Sequence, residues 1–501
     1  MIQTNASPTL DGLFRRVLAR KPDGLALLDP LNKPRITGQL PKRLTFTEAD
    51  RAITALSAHF IESGLPNNSV IAVQLPNTVE FMLTVLAAHR AGLVVALLPL
   101  LWRQAELTVA LNRTGARAIV TTSKIDGVSH ADLAMNAAAE AFSIRHVCGF
   151  GNDLPEGMAS LDLALETRST TTRAVVQDGR KAAIISFDVT ADGFRPVPRT
   201  HLGLIAGGLA LSLESDVPQG TTVMSAFAPS SFAGLTSSLV VWLLSGGALA
   251  LHHPFDADVL ERQINEHGCE TLIAPAPLAL RLTETDMAQR LPALRQVVAL
   301  WRAPEQVASS ALWDAGTASL TDVYLFGEAG MFSARRGDDG APVPILPGPH
   351  GAPRNVPGSS IAGEVLLTPK GTLGLRGPMV TPAAYAPALA PPGDQLMAQP
   401  PRDYVDTEYA ARLDRSTGAI NITAPPSGVM AVGGYRFRSH DLQEWAKRLG
   451  QGALLTALPD RISGHRLAGR ANDNARAREA LNELGLNPLM VEAFRDRANS
   501  T

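Results

Sequence analysis

Three stretches carry the side chains best placed for chemistry. DVTADGFRPVPRTH (188–201) separates the β-rich run KAAIISF (181–187) from the helical run HLGLIAGGLALSLE (201–214). A strand–loop–helix joint of this kind offers backbone N–H groups and a helix N-terminus to a phosphate. In DVYLFGEAG (322–330), Glu328 follows a predicted strand, a position suited to a carboxylate that ligates a metal ion. VGGYRF (432–437) reads as a Gly-Gly turn between strands, where backbone can approach a ligand closely. Each feature alone is common in ordinary structure. Their order and separation are what give the set meaning.

Other chemistries are excluded. The chain holds no HExxH, GxSxG, GxGxxG or Walker pattern, which removes the commonest hydrolases, dehydrogenases and P-loop enzymes. The 11 histidines are scattered, and the pair His252-His253 has no third ligand nearby in sequence. Cys148 and Cys269 lie far apart with no CxxC or Cys/His spacing, which argues against a disulfide scaffold or a zinc site. Lys and Arg number 45 against 47 acids, so no global charge draws the chain to nucleic acid or to an anionic membrane. The N-terminus lacks a charged-then-apolar layout. The uncharged stretch from Thr222 to Leu251 is interrupted by Pro229, Gly234, Gly246, Gly247 and six serines, whereas a span needs ~20 nearly continuous apolar residues. A soluble, cytoplasmic protein with no membrane span is the expectation.

These candidates must be positioned by alternating strands and helices. SVIAVQL (69–75) is a predicted strand, and VEFMLTVLAAHRAG places apolar residues at helical spacing with Gly92 as its stop. LVVALLP (93–99), a helix over 106–113 and ARAIVTT (116–122) continue the alternation, which argues for a parallel sheet with helical crossovers. It resumes at 181–187, 223–229, 247–254, 270–277 and 297–301, with a helix from Asp256 to Gly268 among them. From about Gly337 the Pro/Gly-rich run to Gly358 reads as loop, and IAGEVLLTPKGTLGLRGPMV as a hairpin. A second proline-rich connector covers 382–403, and APPSG (424–428) reads as a hinge. The fold class is α/β: a large layered N-terminal domain (1–425) with α/β subdomains and a small β-containing part, then a small, shortened α+β C-terminal lid (426–501).

The ordered motifs, together with LTFTEADRAITALSAHFIESGLPNNSVIAVQLPNTVEFMLTVLAAHRAGLVVALL, APSSFAGLTSSLVVWLLSGGALALHHPFD and YRFRSHDLQEW, resemble the adenylate-forming superfamily, the AMP-forming acyl-CoA synthetases and their relatives. The likeness runs over nearly the whole chain. It implies a large domain, a mobile lid and a site between them. It also implies ATP/AMP, magnesium and coenzyme A as cofactors. The reaction would be acyl-adenylate formation from a carboxylic acid, followed by acyl transfer to a thiol.

The family's phosphate loop, approximately T-S-G-T-T-G-x-P-K-G, corresponds to Phe187 through Pro196 when aligned through Thr200-His201. Thr190, Gly193 and Arg195 are the candidates there for holding phosphate. Both early glycines are gone, and Asp192 brings a like charge that costs on the order of 4 kcal/mol at ~4 Å and an effective dielectric of ~20. Pro196 supplies no N–H. Arg195, at the lysine position, can pair with an anion. The family's Y-G-M-T-E becomes Tyr324-Leu325-Phe326-Gly327-Glu328, which makes Tyr324 a nucleotide contact and Glu328 the catalytic magnesium ligand by resemblance. Leu300 to Pro304 replaces a glycine-rich loop, and Trp301 either crowds the site with Arg302 or turns into the core.

Tyr409 stands where the family's ribose-binding aspartate belongs; Glu408, one residue away, should point to the opposite side of an extended segment. The next ribose arginine corresponds to Pro425, and the charged hinge residue to Ser427. After Met430 the only lysine is Lys447, so no adenylating lysine has an equivalent. Gly433, Gly434, Tyr435 and Arg436, which would line the thiol's approach, are kept. Two readings follow: an acid–thiol ligase with impaired ATP chemistry, or a non-catalytic descendant that binds an acyl or nucleotide ligand or a protein partner. A third is a transferase acting on ready-made acyl-adenylate.

Overall fold

The computed structural model describes residues 7–166, 175, 178–314, 316, 318–354, 356–381, 385, 403–460 and 462–495. Two large sheets dominate. In the first, seven strands lie in the order 193–200, 182–190, 94–97, 70–73, 118–122, 146–150 and 159–160. All neighbours pair parallel except the edge hairpin formed by 182–190 and 193–200. The second sheet has eight strands in the order 331–335, 319–325, 296–301, 271–275, 223–225, 249–251, 25–28 and 43–45. Its centre is parallel and its two edge pairs are antiparallel.

The apolar runs explain this layering. Val70–Val73 and Val94–Leu97 are buried at every residue, as expected of parallel strands covered on both faces. Helix Val79–Arg90, buried at every position, belongs to a core that also takes helices Phe46–Glu62, His201–Glu214 and Val241–Ser245. Thr45 and Glu48 form a capping box that starts the second of these, and Gly92 follows the end of the first at φ +77°. The stretch from Thr222 folds as strand Val223–Ser225, a helical run from Phe232 to Ser245 and strand Leu249–Leu251. Among the described residues no helix is long and apolar enough to cross a membrane.

A five-stranded antiparallel sheet follows, in the order 348–352, 360–367, 372–376, 405–413 and 420–424. It contains the expected hairpin, and it adds strand Gly348–Ala352 inside the stretch read as loop. The proline-rich connector lies almost wholly outside the described residues. The C-terminal part carries two hairpins, Val429–Val432 with Tyr435–Arg438 and Leu454–Asp460 with Gly464–Arg470, and helices Ser439–Arg448, Asn474–Glu483 and Pro488–Glu492. Leu442, Leu455, Leu481 and Phe494 anchor a separate core there.

One local expectation is corrected. Residues 188–200 are not a loop leading into a helix. Strand Ala182–Thr190 runs past Phe187, turns at Ala191-Asp192 and returns as Gly193–Thr200. The residues Phe187 and Phe194 stack at 5.1 Å and both meet Trp102, which supplies the packing for this hairpin. Pro196 and Pro198 are tolerated because the returning strand is the sheet edge. The helix begins only at His201, where the Thr200 hydroxyl accepts the Gly203 N–H at 3.0 Å. Its N-terminus is therefore separated from the turn by a full strand.

Candidate functional site

The candidate residues converge around one guanidinium. Strand Tyr435–Arg438 follows the Gly433-Gly434 turn and directs Arg436 onto the large domain. Its Nη1 donates to Asp188 Oδ1 at 2.8 Å and its Nη2 to the Tyr409 hydroxyl at 2.9 Å. Burial opposes the charge, but Asp188 and Tyr409 outweigh it and hold Arg436 above its ordinary pKa. Tyr409 itself is fully buried, with its ring edge-on to Phe326 at 5.5 Å.

Asp188 joins this contact to Glu328. Its Oδ2 accepts the Glu328 N–H at 3.1 Å, while Glu328 Oε2 accepts the Phe232 N–H at 2.9 Å. Burial, with Asp188 adding to it, pushes the Glu328 carboxyl up to about 7. Below it lies Arg199, 1% exposed, which donates to the carbonyls of Glu328, Ala329 and Met379 and stacks on Phe232 at 3.8 Å. Burial brings Arg199 down to about 10. The sequence reading missed Arg199, since an arginine between prolines and a helix start carries no sign of burial.

The other candidates divide. Arg195 stands opposite Asp188 in the hairpin register, and Thr190 Oγ1 donates to the Gly193 carbonyl at 3.3 Å near the turn. Asp192 is exposed at the turn and adds, after burial, to the upward shift of Glu408. Glu408 takes φ +63° at an irregularity in its strand, so simple alternation does not fix its direction. Tyr324 makes no contact with Arg436: it is 5% exposed in an apolar core built on strands 271–275, 296–301 and 319–325, edge-on to Phe332 at 5.7 Å. Trp301 is a core aromatic, donating to Asp322 Oδ1 at 2.7 Å. Arg302, one residue beyond that strand, turns the other way, over the Phe227 ring at 4.2 Å.

On the lid side, the Gly433 N–H donates to the Ser463 carbonyl at 2.9 Å, and the Leu101 N–H donates to the Tyr435 hydroxyl at 3.1 Å. Gly434 lies against Arg302, where an added Cβ would stand 2.9 Å from Cζ. Of the carboxylates near the cluster, Asp188 and Glu328 already accept bonds from the protein, whereas Glu305 Oε2 is buried with no hydrogen-bond partner among the described residues. Among the described residues no group of three or more His, Cys, Asp or Glu side chains is arranged to hold a metal ion.

Comparisons with known proteins agree with this architecture. The family model described as AMP-binding enzyme matches residues 14–361. The chain is 22% identical over 475 residues to salicyl-AMP ligase / salicyl-S-ArCP synthetase of Mycobacterium tuberculosis, covering 92% of this chain and 80% of that one. It is 23% identical to the medium-chain fatty-acid–CoA ligase of Escherichia coli over 241 residues, covering 48% of this chain and 42% of the relative. Among solved structures, o-succinylbenzoate CoA synthetase from Bacillus subtilis superposes with a TM-score of 0.69 at 13% identity, over 95% of this chain and 92% of that one. An amide bond synthetase from Marinactinospora thermotolerans gives 0.69 at 17% identity, over 95% and 94%. At these identities the structural likeness shows the fold alone.

Proposed function

Starting from the fact that the chain belongs to the AMP-binding enzyme family, we propose that it is an acid–thiol ligase by descent in which ATP-driven carboxylate activation is impaired. The carrying observation is Arg436, which bridges Asp188 and Tyr409, residues at positions that correspond to phosphate and ribose contacts in the resemblance. A nucleotide entering there would have to displace a charged pair already satisfied at 2.8 Å. Breaking such a partly buried pair leaves each charge without its partner, which is costly. Gly327 makes the arrangement possible, because any side chain at that position would meet the Arg436 guanidinium. The residues that depart from the family pattern therefore fit one another.

Magnesium fits the same place poorly. Glu328 Oε2 already accepts the Phe232 N–H, and both oxygens of Asp188 are engaged. No step is assigned to ATP or to a metal. What these side chains do is hold the lid strand against the large domain and keep Glu328 shielded from water. The domain boundary belongs to this reading: a large domain over 1–425, a lid over 426–501 and a hinge at about 424–428.

Calorimetry with Mg-ATP tests the proposal, together with carboxylate-dependent pyrophosphate exchange. Absence of saturable binding at physiological concentrations and exchange at background are expected. Micromolar, magnesium-dependent ATP binding overturns the reading. A transferase that starts from supplied acyl-adenylate is the second reading, favoured by the retained Gly433-Gly434 turn beside Arg302. Thioester formation without exchange supports it. Lack of both activities leaves the non-catalytic descendant, which binds an acyl ligand or a protein partner.

A further inference from the structure

Arg436 has a carboxylate partner in Asp188, but a second arginine at the same seam has none among the described residues. Arg302 stacks on Phe227 and abuts Gly434, yet among the described residues it makes no hydrogen bond or ion pair. Burial lowers it to about 10, and among the described residues Tyr435 alone opposes that shift. Tyr435, on the lid, accepts the Leu101 N–H through its hydroxyl oxygen, which leaves its own proton available to donate. Arg103 and Glu106, of opposite charge, both act on the same tyrosine. Two donors, one from each side of the seam, are thus left over beside Gly434.

We propose that Arg302 and the Tyr435 hydroxyl form an anion subsite between the large domain and the lid, taking a carboxylate or phosphate carried by the acyl or thiol ligand. A guanidinium seated over an aromatic ring without a hydrogen-bond partner keeps its N–H fork available, the geometry that recognises such anions. Gly434 leaves room for that fork, and the lid supplies the hydroxyl only when it is docked. This rests on the reading that the seam retains an acyl or thiol ligand. It does not depend on how ATP behaves.

Matched pairs of probes separate the two sources of the anion, in assays without ATP. Coenzyme A against pantetheine tests phosphate, and hexanedioate against hexanoate tests an added carboxylate. Calorimetry should show about tenfold or tighter binding for the more anionic member of at least one pair. Arg302→Met should abolish that preference, Arg302→Lys should keep part of it, and Tyr435→Phe should reduce it about threefold. Circular dichroism melts confirm that each variant is folded, and the lysine and phenylalanine variants carry the test if the methionine variant is not. Equal binding within both pairs overturns the proposal, as does a preference that survives Arg302→Met. Micromolar ATP binding with an Arg302-dependent preference sinks the functional reading and leaves this subsite standing.

Discussion

A Cβ added to Gly327 would lie 2.6 Å from Cζ and 2.8 Å from Nη2 of Arg436, so the glycine and the arginine are sterically interdependent across the two parts of the chain. Gly327 also sits at φ +57°, which β-branched residues rarely adopt. Gly327→Thr should therefore destabilise by about 2–4 kcal/mol, part from backbone strain and part from the clash. Adding Arg436→Ala should recover the clash component only. Urea titrations of both single variants and the double variant check this. Strict additivity within ~0.3 kcal/mol would show that the two residues do not meet.

Glu328 makes stability fall with rising pH. Its folded-state value is raised to about 7 from the ordinary 4.5, so between those values the folded chain holds a proton that the unfolded chain has released. Stability from this group is fully present below about 4.5 and is lost as pH rises through about 7. The full difference is on the order of 3 kcal/mol. Glu328→Gln keeps an acceptor for the Phe232 N–H and removes the titration. It should flatten the decline between about pH 4.5 and 7, read from denaturation midpoints. An unchanged slope would mean that Glu328 is ionised in the folded chain.

Lys33 supports the fold beneath the site's sheets. It is wholly buried, with Nζ 2.6 Å from Asp29 Oδ2 and 2.7 Å from Glu80 Oε1, and Glu80 also receives Lys42 at 2.9 Å. Lys33→Met leaves two buried carboxylates facing each other and should cost ~3–5 kcal/mol. Lys33→Met with Asp29→Asn should recover much of that loss, because only one carboxylate then remains and Lys42 still pairs with it. Equal stability of the single and double variants in urea would show that the repulsion is unimportant.

The layered fold was legible because period and burial coincide: all-apolar strands such as 70–73 and the buried helix Val79–Arg90 leave little choice of location. The hairpin at 182–200 was not, because two prolines and an Asp-Gly pair imitate loop chemistry unless the strand is known to be an edge. Position along the chain identified Asp188's neighbourhood, Glu328, Tyr409 and Arg436 as candidates. It could not show that Asp188 meets Arg436, since 248 residues separate them and no local spacing encodes the contact. Tyr324 shows the opposite limit. Motif position makes it a ligand contact, whereas its ring packs edge-on to Phe332 inside the same apolar core that holds Phe326 and Tyr409.

Tyr409→Asp restores the residue expected by resemblance, and considered alone it looks like a route back to ribose binding. The structure gives it another consequence. Arg436 Nη2 already reaches the Tyr409 hydroxyl at 2.9 Å, and its other arm holds Asp188. A shorter, negatively charged side chain draws the same guanidinium toward the strand and gives it a second carboxylate, so the contact that closes the site survives in altered form. It also removes a buried ring from beside Phe326, with a packing loss of about 3 kcal/mol. Tyr409→Asp should therefore lower the melting temperature and confer no Mg-ATP binding by calorimetry. Opening the site should require Arg436→Ala in the same chain, and even then Asp188 still projects negative charge at a position that corresponds to a phosphate contact only by resemblance. ATP binding by the single Tyr409→Asp variant would show that Arg436 does not guard the site.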